Sequence, residues 1–482
     1  TALTPPPTPI HLLGDQAMTT NTPCNDRVER SALTVATLTS FMGPFLISSV
    51  NVALPTIQAE LALTAVELSW IATSYLLAVA VGLIPAGKIG DIHGRKRVFA
   101  TGLAVNALGC LLASFASSAA ELIALRFVQG LGASMFVTTG MAILSSIFPP
   151  QRRGRVIGIY VAAVYVGLAM GPFAGGFLTE ALGWRSIFAA IVPFSLLCLL
   201  LTLLFLKEEW RGELGQRLDI LGCTLYAVAI LSLVYGATIL PSLRGAALGT
   251  SGLAVLAVFL LQQSRSPHPV FEVRLFAANR TFTYSSLAAL LNYSATFSVT
   301  FLVSLYLQYI KGMSPPAAGT LLVAQPVVMA LFSPVAGRLA DRIDPRYLAS
   351  TGMSITVLGV LFFSRLQPDT SSGVIIANLI FLGTGFALFS SPNMNAIMGA
   401  VEKRHYGLAS GIAATMRLLG QMLSMAIATV VLAMLVGHQA IVPAVYDKFL
   451  ASVHLVFLIS ALLCGLGVYF SWFRGAAQEP GR

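Results

Sequence analysis

Fourteen mostly apolar stretches, separated by short polar loops, fill the chain between residues 32 and 472. Their limits fall near 32–56, 67–87, 98–117, 121–145, 156–181, 185–206, 219–240, 247–264, 281–309, 315–336, 347–364, 372–398, 406–436 and 450–472. A helix needs roughly 17–25 apolar residues to cross a bilayer. The pattern therefore predicts an all-α membrane protein with fourteen transmembrane helices.

Composition agrees. Of 482 residues, 56% are hydrophobic and only 10% are charged, and mean hydropathy is +0.82. Soluble domains carry about a quarter charged residues, so most of this surface must face lipid. The net charge of +10 is spread through loops rather than gathered on one face, which excludes a nucleic-acid platform. Counted on alternate sides of the spans, 22 of the 29 Lys and Arg fall on one side and 5 on the other, while Arg126 and Arg417 lie within spans. The positive-inside rule then places both termini in the cytoplasm of a multi-pass inner-membrane protein.

A repeat refines the architecture. Gly87–Arg97 reads G-K-I-G-D-I-H-G-R-K-R after the second span, and Gly337–Arg346 reads G-R-L-A-D-R-I-D-P-R after the tenth. Two copies of a six-span unit would place the second loop after the eighth span, so two extra spans lie between the halves. The expected order is 6+2+6. A tail at 1–31 leads into a six-helix bundle at 32–206, a two-helix insertion at 207–280, a second bundle at 281–472 and a tail at 473–482. Asp219 should start the first inserted helix at its positive dipole end. Met18 is the first methionine and the expected start, with earlier residues foreign or an upstream extension.

Four motifs carry candidate chemistry. In the first loop, Gly87 and Gly94 permit a tight reversal, Asp91 suits a helix N-terminus, and Arg95 and Lys96 offer charge; Gly337, Asp341 and Arg342 are the second-half counterparts. A merely topogenic basic loop is the plainer alternative. The fifth span contains Gly167, Gly171, Pro172, Gly175 and Gly176, a small-residue face with a bend, which fits close helix packing with or without a transport role. In the fourth span Arg126 and Gln129 share a face, and Arg126, about 7.5 Å from the outer end, either snorkels or works. Arg417 lies roughly 18 Å into the membrane, too deep to snorkel, as a structural cap or a substrate contact.

The first loop, the Arg126–Gly132 stretch and the Gly167–Gly176 stretch resemble three signature motifs of the major facilitator superfamily, the last associated with antiporters. Val50–Pro55, Trp70–Tyr75, Trp184-Arg185, Asp219 with Gly222, Tyr306–Gln308 and Ala409–Gly411 followed by Arg417 resemble its fourteen-span drug:proton antiporter group. The resemblance implies the major facilitator fold, alternating access, export of a small-molecule substrate and protons as coupling ion. Two positions depart from the group: Leu46 stands where an acid is common, and Ile92 where a basic residue is usual.

Proton coupling normally needs a titrating group at membrane depth. Glu60, Glu67, Glu121 and Glu180 fall at outer span edges, and His454 lies in the last span, away from the expected cavity helices. A central cavity would then be positive or neutral and favour anionic, zwitterionic or neutral amphipathic cargo. Ser48, Ser49, Asn51, Asn106, Asn292, Tyr293, Gln325, Asn393, Asn395 and Gln421 are the polar residues able to line it, unless they bond between helices. The five cysteines show no metal or redox spacing, and no phosphate loop or nucleophile–base pair is present, so neither enzyme activity nor a cofactor or metal is expected. The bilayer is the certain partner, and a monomer is favoured.

Overall fold

The computed structural model describes residues 26–475, apart from 149, 207, 211–217, 240–241, 267–268, 272, 274–275, 277–278, 341, 402–405 and 438. Among the described residues, fourteen helices are long and apolar enough to cross a membrane. The first half holds α1 (Asp26–Leu61), α2 (Ala65–His93), α3 (Arg95–Ala113), α4 (Ala119–Ile147), α5 (Pro150–Leu182) and α6 (Arg185–Phe205). Then come α7 (Ile220–Thr238) and α8 (Leu243–Arg265). The second half holds α9 (Arg280–Leu305), α10 (Pro315–Leu322), α11 (Ala324–Ala340), α12 (Pro345–Phe363), α13 (Ser372–Gly399), α14 (Tyr406–Leu435) and α15 (Tyr446–Phe473).

Helices α10 and α11 are one crossing, broken at Val323. Pro326 lacks the N–H that would bond the Leu322 carbonyl, so the helix loses a rung there. Helix α9 continues through a π-turn, Tyr306–Ile310, closed by Lys311 N donating to Tyr306 O at 3.2 Å. The first helix starts at Asp26, earlier than the span limit at 32, because an acid suits its N-terminal dipole and Glu29 finds a partner in Arg152 at 3.0 Å.

Short loops are stopped and restarted by caps. Thr64 and Glu67 form a reciprocal capping box on α2, and Glu67 Oε2 accepts from Thr64 N at 2.9 Å. Ser118 caps α4, with Glu121 accepting from Ser117 N. Asp219 caps α7 as expected, accepting from Gly222 N at 2.8 Å.

The packing repeats in the two halves. In the first, α1 packs on α5, α2 on α4, α3 on α4 and α6; in the second, α9 packs on α14, α11 on α13, α12 on α13 and α15. Between halves, α2 meets α14 and α5 meets α10 and α11, which are equivalent contacts under a twofold exchange. The α7–α8 hairpin docks on α2 and α14, with Tyr226 Oη donating to Ala80 O at 3.1 Å.

Candidate functional site

The two bundles meet through polar contacts at the end opposite the chain termini. There Ser304 Oγ donates to Asn51 O at 3.0 Å, Gln308 Nε2 to Val52 O at 2.9 Å, and Tyr309 Oη to Gln58 Oε1. On the other flank, Thr73 and Thr429 hydroxyls lie 3.2 Å apart, and Ala65 N donates to Gln439 O at 2.8 Å. Glycine makes the third seam. A Cβ at Gly176 would stand 2.6 Å from Pro315 O, and one at Gly319 would strike Pro172 O.

Beneath this seam is a cavity of about 180 Å³. It runs from Thr300 and Leu322 below the seam to Ser40 and Tyr160 nearer the termini. Asn51, Gln325, Arg417, Gln421, Ser48 and Tyr293 line it. So does Pro172. Sequence reasoning missed Tyr75, Tyr160, Tyr165, Thr296 and Thr300. The Tyr293 hydroxyl lies beside Arg417 and Ser390, and Tyr160 approaches Arg417 from the other bundle. Among the described lining residues, Arg417 is the sole Asp, Glu, His, Lys or Arg.

Several expected lining residues lie elsewhere. Ser49 donates to Gly171 O at 2.9 Å and pins α1 to α5. Asn106 donates to Ser195 Oγ at 3.1 Å. Asn292 turns toward Cys464 Sγ, 4.0 Å away. Asn393 donates to Ser285 O at 3.0 Å and accepts from Arg474 at 3.1 Å, while Asn395 is exposed outside the cavity.

Arg126 does not snorkel. It is 1% exposed, with Nε donating to Ile71 O at 3.2 Å and Nη1 to Gln129 Oε1 at 2.8 Å. Tyr75 lies under its guanidinium at 4.4 Å, and Gln129 Nε2 in turn donates to Gly109 O at 3.1 Å. Short neighbours let this cluster form inside the bundle, so desolvation is offset by hydrogen bonds and a ring face.

The edge acids are structural. Glu60 holds Arg185 and accepts from Trp184 Nε1 at 2.7 Å, and His454 sits 2.6 Å from Leu366 O. Leu46 is buried in the core.

At the termini end, the first repeated loop is a compact latch. Asp91 pairs with Arg95 at 2.7 Å, and Arg95 also reaches Ala142 O and Ser146 of α4. Gly87 sits against Thr138, and Gly94 adopts φ +121°, a conformation other residues rarely reach. Glu209, missed in the sequence, accepts from Lys96 N at 2.9 Å and pairs with Arg97 at 3.6 Å, supplying the cap that Gly94 lacks. In the second loop, Gly337 packs on Ser391, Arg342 is exposed, and Asp341 lies outside the described residues. Asp344 caps α12 there through Arg346 N at 2.9 Å. Of the glycine helix, Gly167 abuts Phe41 O, Gly171 and Gly175 abut Ser48 and Ser49, and Gly176 faces the other bundle.

The sequence matches the Major Facilitator Superfamily over residues 36–264 and 285–482. The riboflavin transporter RibZ of Clostridioides difficile (strain 630) is 30% identical over 370 residues, covering 77% of this chain and 81% of that protein. The multidrug resistance protein Stp of Mycobacterium tuberculosis (strain CDC 1551 / Oshkosh) is 32% identical over 392 residues, covering 80% and 72%. A bacterial homologue of the human lysosomal transporter Spinster, solved inward-facing and unoccupied, superposes with a TM-score of 0.68 at 16% identity, covering 93% of this chain and 97% of its own. Among the described residues, twelve apolar helices in two packed halves with a two-helix hairpin between them, together with the repeated loops and these matches, agree: the chain belongs to the major facilitator superfamily.

Proposed function

We propose that this protein exports small amphipathic molecules from the cytoplasm across the inner membrane by alternating access, in the manner of a drug-efflux carrier. One observation carries this reading: a cavity with both polar and apolar lining lies between two equivalent bundles and is sealed at one end by contacts between them. With both termini cytoplasmic, as the 22-to-5 distribution of basic residues favours, the sealed end is external and the end lined by Ser40 and Tyr160 lies toward the cytoplasm. Rocking the bundles about the cavity exchanges the seal from one side to the other. In this reading the latch at Asp91–Arg95 and the tightly packed glycine face of α5 control that motion. Relatives named for multidrug resistance and for riboflavin transport support a small-molecule cargo.

The proton gradient is the proposed energy source, by the resemblance to drug:proton antiporters. A second reading is favoured by the lining, which holds no carboxylate or imidazole among the described residues. In it the protein is a facilitator or exporter of anionic or zwitterionic metabolites or lipids, without an intramembrane acid. A membrane sensor or scaffold that transports nothing is the reading from another class. Dye flux in purified proteoliposomes, with and without a pH gradient, separates them. Acceleration by the gradient supports antiport, gradient-independent flux supports the second reading, and no flux with any compound supports a sensor.

A further inference from the structure

Two arginines lie within the spans, and their surroundings differ. Arg126 is enclosed and satisfied by a carbonyl, an amide and a ring. Arg417 is half-buried on a cavity wall, and among the described residues no carboxylate lies within ion-pairing distance of it. A cation kept at membrane depth is costly unless water, dipoles or a counter-anion meets it. The groups lining the cavity with it include Tyr293 from α9, Gln421 one turn further along α14 and, from α5 of the other bundle, Tyr160, whose hydroxyl lies 3.5 Å from the Val137 carbonyl and so is weakly held. Phenol O–H groups and amide N–H groups also donate to anions and add to the stronger, charged hydrogen bonds of a guanidinium. The rest of the wall mixes polar residues such as Asn51 and Gln325 with an apolar and aromatic part that includes Phe297, Phe386 and Leu168.

We infer that the cavity takes an amphipathic organic anion, whose acid group is held by Arg417 with Tyr160 and Tyr293 and whose apolar body lies against the aromatic wall. This rests on the export reading and adds the charge of the cargo. Because Tyr160 belongs to the first bundle and Arg417 to the second, a bound acid group bridges the two, and binding itself favours their approach. An anion leaving an inside-negative cell is also driven by the potential, by roughly 50-fold per charge at 100 mV.

The test uses two dyes with the same xanthene ring, fluorescein as the anion and a rhodamine ethyl ester as the cation. Binding to the full-length protein in nanodiscs and flux in proteoliposomes are both measured. Fluorescein is expected to bind about tenfold or more tightly than the rhodamine. Arg417→Gln should erase that preference, Arg417→Lys should retain part of it, and an imposed potential should speed fluorescein exit. Equal binding of both dyes by the unaltered protein, or a fluorescein affinity unmoved in Arg417→Gln, overturns the assignment. Rhodamine transport without fluorescein transport overturns it too, but leaves export standing; failure of both dyes and of a neutral amphipath overturns both readings. If Arg417→Gln does not insert, the charge preference and potential dependence of the unaltered protein decide the matter alone.

Discussion

Gln308 of the π-turn donates its side-chain amide to the backbone carbonyl of Val52, 2.9 Å away in the other bundle. The same amide lies 3.1 Å from Ser304 Oγ, which itself donates to Asn51 O, so one residue ties together two links of the seam. An interior hydrogen bond contributes about 0.5–1.5 kcal/mol. Gln308→Leu should therefore raise the population opened at this end by about two- to tenfold. Distance measurements between spin labels on Ala62 and Gly437, at the ends of the helices flanking the seam, should show the longer distance gaining weight; an unchanged distribution means that the bond is not part of the seal.

Gly176 faces a backbone carbonyl, not a flexible side chain, and this decides what substitution does. A methyl group there meets Pro315 O at 2.6 Å, closer than real Cβ contacts come. Gly176→Ala should hold the bundles apart at the sealed end and cut transport about tenfold or more, while the protein still purifies as a single species. Gly465 has open space around it, so Gly465→Ala should leave flux within about twofold and slightly raise Tm. Equal flux in both variants would contradict a seam built on backbone contact.

The number of crossings was legible because bilayer thickness fixes the length of each apolar run. The order of six, two and six was legible because the Asp91 and Asp341 loops recur out of step by two spans. Lining residues were less legible, and the neighbours Asn292 and Tyr293 show why. Successive residues on a helix are turned about 100° apart, so Tyr293 enters the cavity while Asn292 faces Cys464 inside the bundle. Ser48 and Ser49 divide in the same way. A soluble helix would reveal its wet face by an amphipathic stripe, but here lipid and bundle interior are both apolar. Glu209 was hidden for another reason: it lies in the loop after α6, remote in sequence from the α3 terminus it caps.

Arg126 holds three segments at once: the Ile71 carbonyl of α2, Gln129 of its own helix and, through Gln129, the Gly109 carbonyl of α3. Arg126→Leu leaves the Ile71 carbonyl and the Gln129 amide oxygen buried without that donor, at a cost of about 1–3 kcal/mol each. Arg126→Lys keeps the charge but loses the planar fork and much of the contact with the Tyr75 face. Both variants should lower Tm by several degrees, and Lys should not restore it fully. Because neither side chain lines the cavity, dye affinity in the surviving folded protein should stay within about twofold of the unaltered protein. A large loss of affinity at unchanged Tm would instead make Arg126 a binding residue.

Asp219 links the start of α7 to the end of α8. Its Oδ2 accepts from Gln262 Nε2 at 2.9 Å and Gln263 Nε2 at 2.8 Å, and its Oδ1 accepts from Gly222 N. Burial raises the pKa of this carboxyl, but the three donors outweigh burial and hold it below the ordinary value. A carboxyl depressed in the folded state contributes stability above its unfolded pKa, and that contribution disappears as pH falls through the folded value. The α7–α8 hairpin should thus be indifferent to pH near neutrality and loosen progressively below about pH 4. Hydrogen exchange across Ile220–Arg265 should rise in that range while the α2–α4 core stays protected. Asp219→Asn should show weaker protection of the hairpin already at neutral pH and lose most of the acid dependence. Protection that falls equally in α2–α4 and in the hairpin would mean that Asp219 is not the source of the acid sensitivity.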